Sequence, residues 1–289
     1  MAMTSRKGLL FVFIASVLFS IGGLCVKVIP WNSLSINSFR SIISVCILLV
    51  FAKVTHRKLK FTPGVLAGAV AMCATTTLYA AANKLTTAAN TILLQFTAPV
   101  FVILFLMLFF KEKPRRLDLI TCVVVFGGIA CFFMDSLGTG HMVGDILALL
   151  SGVGYAWVFM MNKIPGGDPL FATILGQGMG AVIGFPFLLQ ETDFSAPGLT
   201  AAIVLGVFQL GIAYIFFTTG IRYVSPVSAS LVAGIEPILN PLLVAFVLGE
   251  MITPLSLLGG AIVFVSIMTY NVLEAKRDTP AAPEEGSTV

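Results

Sequence analysis

The sequence predicts an all-α integral membrane protein: ten transmembrane helices arranged as two inverted five-helix repeats, with both termini cytoplasmic. Three observations lead there. Of 289 residues, 58% are hydrophobic and only 10% charged, against about 25% charged in soluble proteins, and the mean hydropathy is +1.03. Charges cluster between apolar runs of about 20 residues, the length a helix needs to cross roughly 30 Å of hydrocarbon. The stretch 83–113 is also written twice: Lys84, Pro99 and Glu112 return as Arg222, Pro237 and Glu250, each 138 positions later. The alternation of apolar and polar residues that marks barrel strands is absent.

The run 9–29 follows Arg6 and Lys7 like the core of a signal peptide, but its full length and the lack of an A-x-A cleavage signal make it the first span. After Pro30–Asn32 comes 33–53, which carries Arg40. The turn signal Thr62–Gly64 opens 64–83, and 88–110 follows with Pro99 at its middle. The fifth run, 117–135, holds Gly127 and Gly128, small residues that let helices approach closely. Gly138–Gly140 precedes 142–162, and Pro165–Pro169 precedes 169–189. The runs 198–219, 227–248, with Glu236 and Pro237, and 254–273, with Gly259 and Gly260, complete the ten. This divides the chain into a first repeat at 1–137, a second at 138–275 and a disordered tail at 276–289, rich in Pro, Ala and Glu. The connections are too short to hide a soluble domain.

With the N-terminus inside, 14 of the 17 basic residues fall on the cytoplasmic side, as the positive-inside rule requires. Lys27 and Lys84 fall outside, and Arg40 lies within a span. Five crossings per repeat then force the second copy to enter the membrane from the opposite face, a construction frequent in secondary transporters. The net charge of +4 needs no nucleic-acid partner. The five cysteines sit within apolar runs without C-x-x-C or histidine spacing and read as small hydrophobes, so no metal and no cofactor is expected.

The paired segments APVFVILFLMLFFKE and EPILNPLLVAFVLGE, each with an early proline and a closing glutamate, carry a resemblance that covers about residues 9 to 273. The chain resembles the drug/metabolite transporter superfamily, ten-helix EamA-type branch, and within it the bacterial amino-acid exporters. The resemblance implies a central cavity lined by the first four helices of each half, with the fifth and tenth at the periphery. It further implies outward movement of amino acids, aromatic or other neutral ones among them, across a bacterial inner membrane.

Polar groups inside hydrocarbon are costly and point to function. Glu236 lies near the middle of 227–248, with Asn240 four residues on and therefore on the same helical face. It could bind a substrate ammonium, exchange protons, or satisfy backbone freed around Pro237 and Pro241. Pro99 and Pro237 each deny a hydrogen bond to the carbonyl four residues earlier, at Gln95 and Ala233, which makes them hinge candidates and leaves those carbonyls free for an ammonium. Arg40 could grip a carboxylate or pair with Asn37. Tyr79, Gln95, Tyr155, Trp157, Gln209 and Tyr214 offer apolar faces with one hydrogen bond each, as a pocket for varied side chains requires. Lys84 and Arg222 are candidates for gate latches or helix anchors.

The leading expectation is a secondary transporter of amino acids or related small metabolites, monomeric, embedded in lipid, working by alternating access and open to proton coupling. No phosphate-binding G-x-x-x-x-G-K-[ST] loop is present. An intramembrane enzyme is disfavoured by the absence of H-E-x-x-H and G-x-S-x-G and by the loop positions of His56 and His141. A passive channel is disfavoured by the inverted repeat.

Overall fold

The computed structural model describes residues 5–111, 113, 116–161, 164–224, 232–249 and 252–278. The closing glutamates Glu112 and Glu250 lie outside the described residues. Every regular element described is helical. Seven helices are long and apolar enough to cross a membrane, and three shorter apolar helices accompany them among the described residues.

The chain begins with α1 (Ser5–Phe19) and α2 (Gly22–Val28), which follow one another through a turn at Ser20 and Ile21. The first apolar run is therefore broken, where its composition predicts one continuous helix. Next come α3 (Ser33–Val54) and α4 (Pro63–Leu85). Asn32 and Thr62 start them by accepting from Leu34 N and Val65 N, hydrogen bonds that satisfy donors the first turn leaves open. The proline-centred run divides into α5 (Ala88–Gln95) and α6 (Ala98–Phe109). Then follow α7 (Arg116–Thr139), α8 (Met142–Met160) and α9 (Pro169–Leu188), the last capped by Asp168.

The eighth run is α10 (Ala196–Val204), a π-helical stretch Leu205–Ile212 and α11 (Ala213–Gly220). The ninth contributes α12 (Glu236–Leu248), which stops at Gly249 in the left-handed conformation. The last helix, α13 (Pro254–Asp278), runs three residues into the stretch whose composition predicts a disordered tail.

Packing pairs helices distant in sequence. Helix α3 packs on α9 and on the π-helical stretch, α4 on α8 and α9, α1 on α11, and α7 on α13. The broken segments α5 and α6 lie on α8, while α12 lies on α2 and α5. Glycines set how closely these backbones approach. A Cβ at Gly184 would stand 2.2 Å from the Leu34 carbonyl oxygen, so α9 reaches α3 only because that position has no side chain. Gly128 admits the Gly259 carbonyl at the crossing of α7 and α13 in the same way. Two glycines close joints between helices: Gly8 of α1 sits against Tyr223 and Val224 after α11, and Gly144 of α8 sits against Leu85 at the end of α4 and Thr86 after it.

Gly184→Ala should push α3 from α9 and cost about 1–3 kcal/mol, as overpacking does. Gly127, where an added Cβ meets nothing within 4 Å, supplies the control. Melting of the detergent-solubilised variants should show a clear loss for Gly184→Ala and no change for Gly127→Ala.

Candidate functional site

The helix breaks and the π-helical stretch surround a cavity at the centre of the helices. It is lined by Phe19, Arg40, Thr75, Thr76, Tyr79, Gln95, Tyr155, Gln209, Leu210, Tyr214 and Glu236. Six of the eight expected binding residues are on this wall, and so is Arg40. Arginine from α3 and glutamate from α12 therefore face one space, a convergence that sequence leaves open because the two helices lie far apart in the chain.

Arg40 is 1% exposed. Its Nη2 donates to the Thr76 carbonyl at 2.7 Å and to Asn37 Oδ1 at 3.0 Å, and Nε donates to the same Asn37 oxygen at 3.3 Å. Asn37 is held from behind by donating to Thr77 Oγ1 at 2.9 Å. The pairing with Asn37 is present: it fixes one edge of the guanidinium, while Nη1 is buried without a hydrogen-bond partner.

Glu236 is the first residue of α12, immediately before Pro237, and is buried at 9% exposure. Among the described residues no hydrogen bond or ion pair engages its carboxylate. The phenols of Tyr79 and Tyr214 lie within electrostatic reach of both Glu236 and Arg40. Buried ions ordinarily cost several kcal/mol each unless paired. Here an arginine and a glutamate line one cavity with no ion pair between them.

Asn240 stands behind the wall rather than in it. Its Nδ2 donates to the Tyr79 hydroxyl at 3.4 Å, which orients that phenol. On the other side, Gln95 Nε2 donates to Ser151 Oγ at 2.6 Å, and Ser151 in turn donates to the Thr75 carbonyl at 2.9 Å. This chain ties the end of α5 to α8 and α4. Trp157 lies off this wall: it meets Phe105 and Phe109 edge to face, at 5.6 and 5.5 Å, in the packing of α8 on α6.

The proline positions behave as expected of helix breakers. Turns at Phe96–Thr97 and Gly234–Ile235 separate helices, and α6 and α12 restart around Pro99 and Pro237. Thr97 Oγ1 donates to the Leu94 carbonyl at 2.6 Å, which satisfies part of the freed backbone. The Gln95 carbonyl, expected to be free for an ammonium, packs against Gly152 of α8.

Lys84 and Arg222 lie at opposite ends of the bundle, away from the cavity. Lys84 Nζ donates to the Ile29 carbonyl, and Lys27 Nζ donates to the Thr86 carbonyl at 2.7 Å. Nearby, Asp145 accepts from Thr86 Oγ1 at 2.6 Å and from Asn90 Nδ2 at 3.3 Å. Arg222 pairs with Asp168 at 3.2 Å, half exposed, and Thr62 Oγ1 donates to the Gly166 carbonyl beside it.

Sequence reasoning missed four wall residues, Phe19, Thr75, Thr76 and Leu210. The run Thr75–Thr76–Thr77 inside an otherwise apolar helix was the available signal for two of them, and Gly22–Gly23 inside the first run was the signal for the first helix break. A Cβ at Gly22 would meet Gln209 Nε2 at 2.9 Å and the Tyr79 hydroxyl at 3.0 Å. Among the described residues no three His, Cys, Asp or Glu side chains are grouped so as to hold a metal ion.

Ser151→Ala should leave Gln95 Nε2 buried and unpaired. The expected loss is about 1–3 kcal/mol, read as a lower melting temperature. Ser151→Thr, which restores the hydroxyl, should recover part of it if the added methyl is accommodated.

The EamA-like transporter family model matches residues 6–134 and again 142–272. An uncharacterised transporter of Archaeoglobus fulgidus is 30% identical over 194 residues, covering 66% of this chain and 69% of that one. The uncharacterised transporter YwfM of Bacillus subtilis is 27% identical over 285 residues, covering 94% and 96%. One of Clostridium kluyveri is 24% identical over 291 residues, covering 92% and 94%. A solved crystal structure shares the fold at TM-score 0.67 and 16% identity, over 95% of this chain and 100% of the other. With the apolar helices described above, these matches establish a multi-pass membrane transporter, and the chain belongs to the EamA-like transporter family.

Proposed function

We propose that this transporter exports amino acids, neutral and aromatic ones included, or closely similar zwitterionic metabolites, across a bacterial inner membrane. The observation that carries the reading is the pair of buried, mutually unpaired charges on one cavity wall, Arg40 and Glu236. A zwitterion supplies the missing partner to each: its carboxylate meets the free Nη1 of Arg40 and its ammonium meets Glu236. Aromatic walls from Phe19, Tyr155 and Tyr214 accept an apolar side chain between them.

Alternating access supplies the mechanism. Ten spans, both termini cytoplasmic, form two inverted halves at 1–137 and 138–275, with 276–289 as a tail, in a monomer. The packing pattern supports this, because a shift of five spans carries most helix contacts onto other contacts. The pair α4 and α8 corresponds to α11 and α1, the pair α4 and α9 to the π-helical stretch and α3, and α3 with α9 and α7 with α13 each map onto themselves. Gly144 and Gly8 close the two corresponding joints. The Lys84, Lys27 and Asp145 ties then act as the outer latch and Arg222–Asp168 as the inner one, with Pro99 and Pro237 as pivots beside the site. A proton at Glu236 is the simplest coupling agent for the empty return step.

Purified protein in liposomes, tested in both orientations with labelled neutral amino acids, should show saturable flux that responds to an imposed pH gradient. Arg40→Met and Glu236→Gln should each reduce flux by about tenfold or more, consistent with loss of a charge-assisted hydrogen bond. Absence of saturable flux for every amino acid refutes amino-acid export and leaves a different metabolite. Flux and pH response unchanged in Glu236→Gln refute coupling through that carboxylate.

A further inference from the structure

The π-helical stretch Leu205–Ile212 is unexplained by span-crossing alone, and such segments are frequent at functional sites. Its local cause is visible. Gly206 and Gly211 both press on α3, where an added Cβ would stand 2.7 Å from Ile43 Cβ and 2.6 Å from Ile47 Cδ1 respectively. In an α-helix, residues five apart point about 140° away from each other, so both glycines could not meet neighbouring turns of α3. Hydrogen bonding from i to i+5 stacks them instead, and the Ala213 N–H reaches back to the Phe208 carbonyl accordingly. Widening the turn in this way presents the intervening Gln209 and Leu210 to the cavity.

Gln209 is 6% exposed, and neither end of its amide makes a hydrogen bond among the described residues. The nitrogen lies against Gly22 of α2, which also approaches the Tyr79 hydroxyl. The oxygen, Oε1, is buried with no hydrogen-bond partner, on a side chain that lines the same wall as Glu236. A buried carbonyl oxygen left unpaired is costly, and a ligand donor offsets that cost.

We infer that Gln209 Oε1 is a second acceptor for the substrate's ammonium, beside the Glu236 carboxylate, and that the π-helical stretch exists to aim it there. The site thereby counts N–H donors: it takes a primary or secondary ammonium, which has two or more, and discriminates against a tertiary one, which has one. The inference rests on the zwitterion reading above and adds to it the ammonium class that the transporter accepts.

The test uses the full chain in detergent and calorimetric titration with leucine and phenylalanine, each as the parent, the N-methyl and the N,N-dimethyl derivative, which carry three, two and one N–H donors. The wild type should hold parent and N-methyl forms similarly and lose about tenfold or more at the second methyl, where one acceptor goes unpaired. Gln209→Leu should weaken the parent by a comparable factor and erase the step between one and two methyls. Gln209→Asn, which withdraws the oxygen by one carbon, serves the same purpose if the leucine variant does not fold. Gln209→Glu, which keeps an acceptor, should retain the step.

A step that persists unchanged in Gln209→Leu or Gln209→Asn overturns the role of Gln209 and leaves the zwitterion reading standing. Failure of the wild type to bind leucine, phenylalanine or their N-methyl forms overturns the zwitterion reading itself.

Discussion

Hydrocarbon offers no water, so every polar group inside this bundle must find a partner in the protein or in what the protein carries. Much of the buried hydrogen bonding answers that constraint. Hydroxyls of Ser16, Ser20, Thr75, Thr91, Thr173 and Thr218 fold back onto carbonyls four residues earlier in their own helices. Asn37, Ser41 and Ser151 reach across to neighbouring helices. Eight buried side-chain atoms among the described residues still lack a partner, and two of them, Arg40 Nη1 and Gln209 Oε1, belong to side chains on the cavity wall that Glu236 shares.

The same constraint explains where the helices may break. Turns at Ser20–Ile21, Phe96–Thr97 and Gly234–Ile235 all border the central region, where protein rather than lipid surrounds the interrupted backbone. Glycine and proline divide the work. Proline removes a donor and stops the ladder, while glycine lets the interrupted segment press on its neighbour, as Gly152 does beneath Leu94 and Gln95. The site is therefore built from helix ends and one widened turn.

Much of the fold was legible because membrane crossing imposes a length and a composition. The apolar runs, their start signals at Asn32, Thr62 and Asp168, and the interruptions at Pro99 and Pro237 all follow from local chemistry and recur in the structure. Glu236, Gln95, Gln209 and the tyrosines were legible as expensive groups with no local reason to be inside. What sequence could not supply was direction. Trp157 has the same amphipathic character as Tyr155 two residues earlier, yet the helix turns one toward Phe105 and Phe109 and the other to the cavity. The π-helical stretch arises from long-range packing of Gly206 and Gly211 on α3, and no propensity scale contains it. The approach of Arg40 and Glu236 is likewise a property of assembled helices.

The central claim is that two opposite buried charges read the two ends of one zwitterion. The most direct measurement compares binding of leucine, leucinamide and the desamino acid 4-methylpentanoate to the wild type, Arg40→Met and Glu236→Gln. The account predicts that leucine binds the wild type best, that Arg40→Met ceases to distinguish leucine from leucinamide, and that Glu236→Gln loses most of its preference for leucine over the desamino acid. Preferences retained in full by both variants would contradict it.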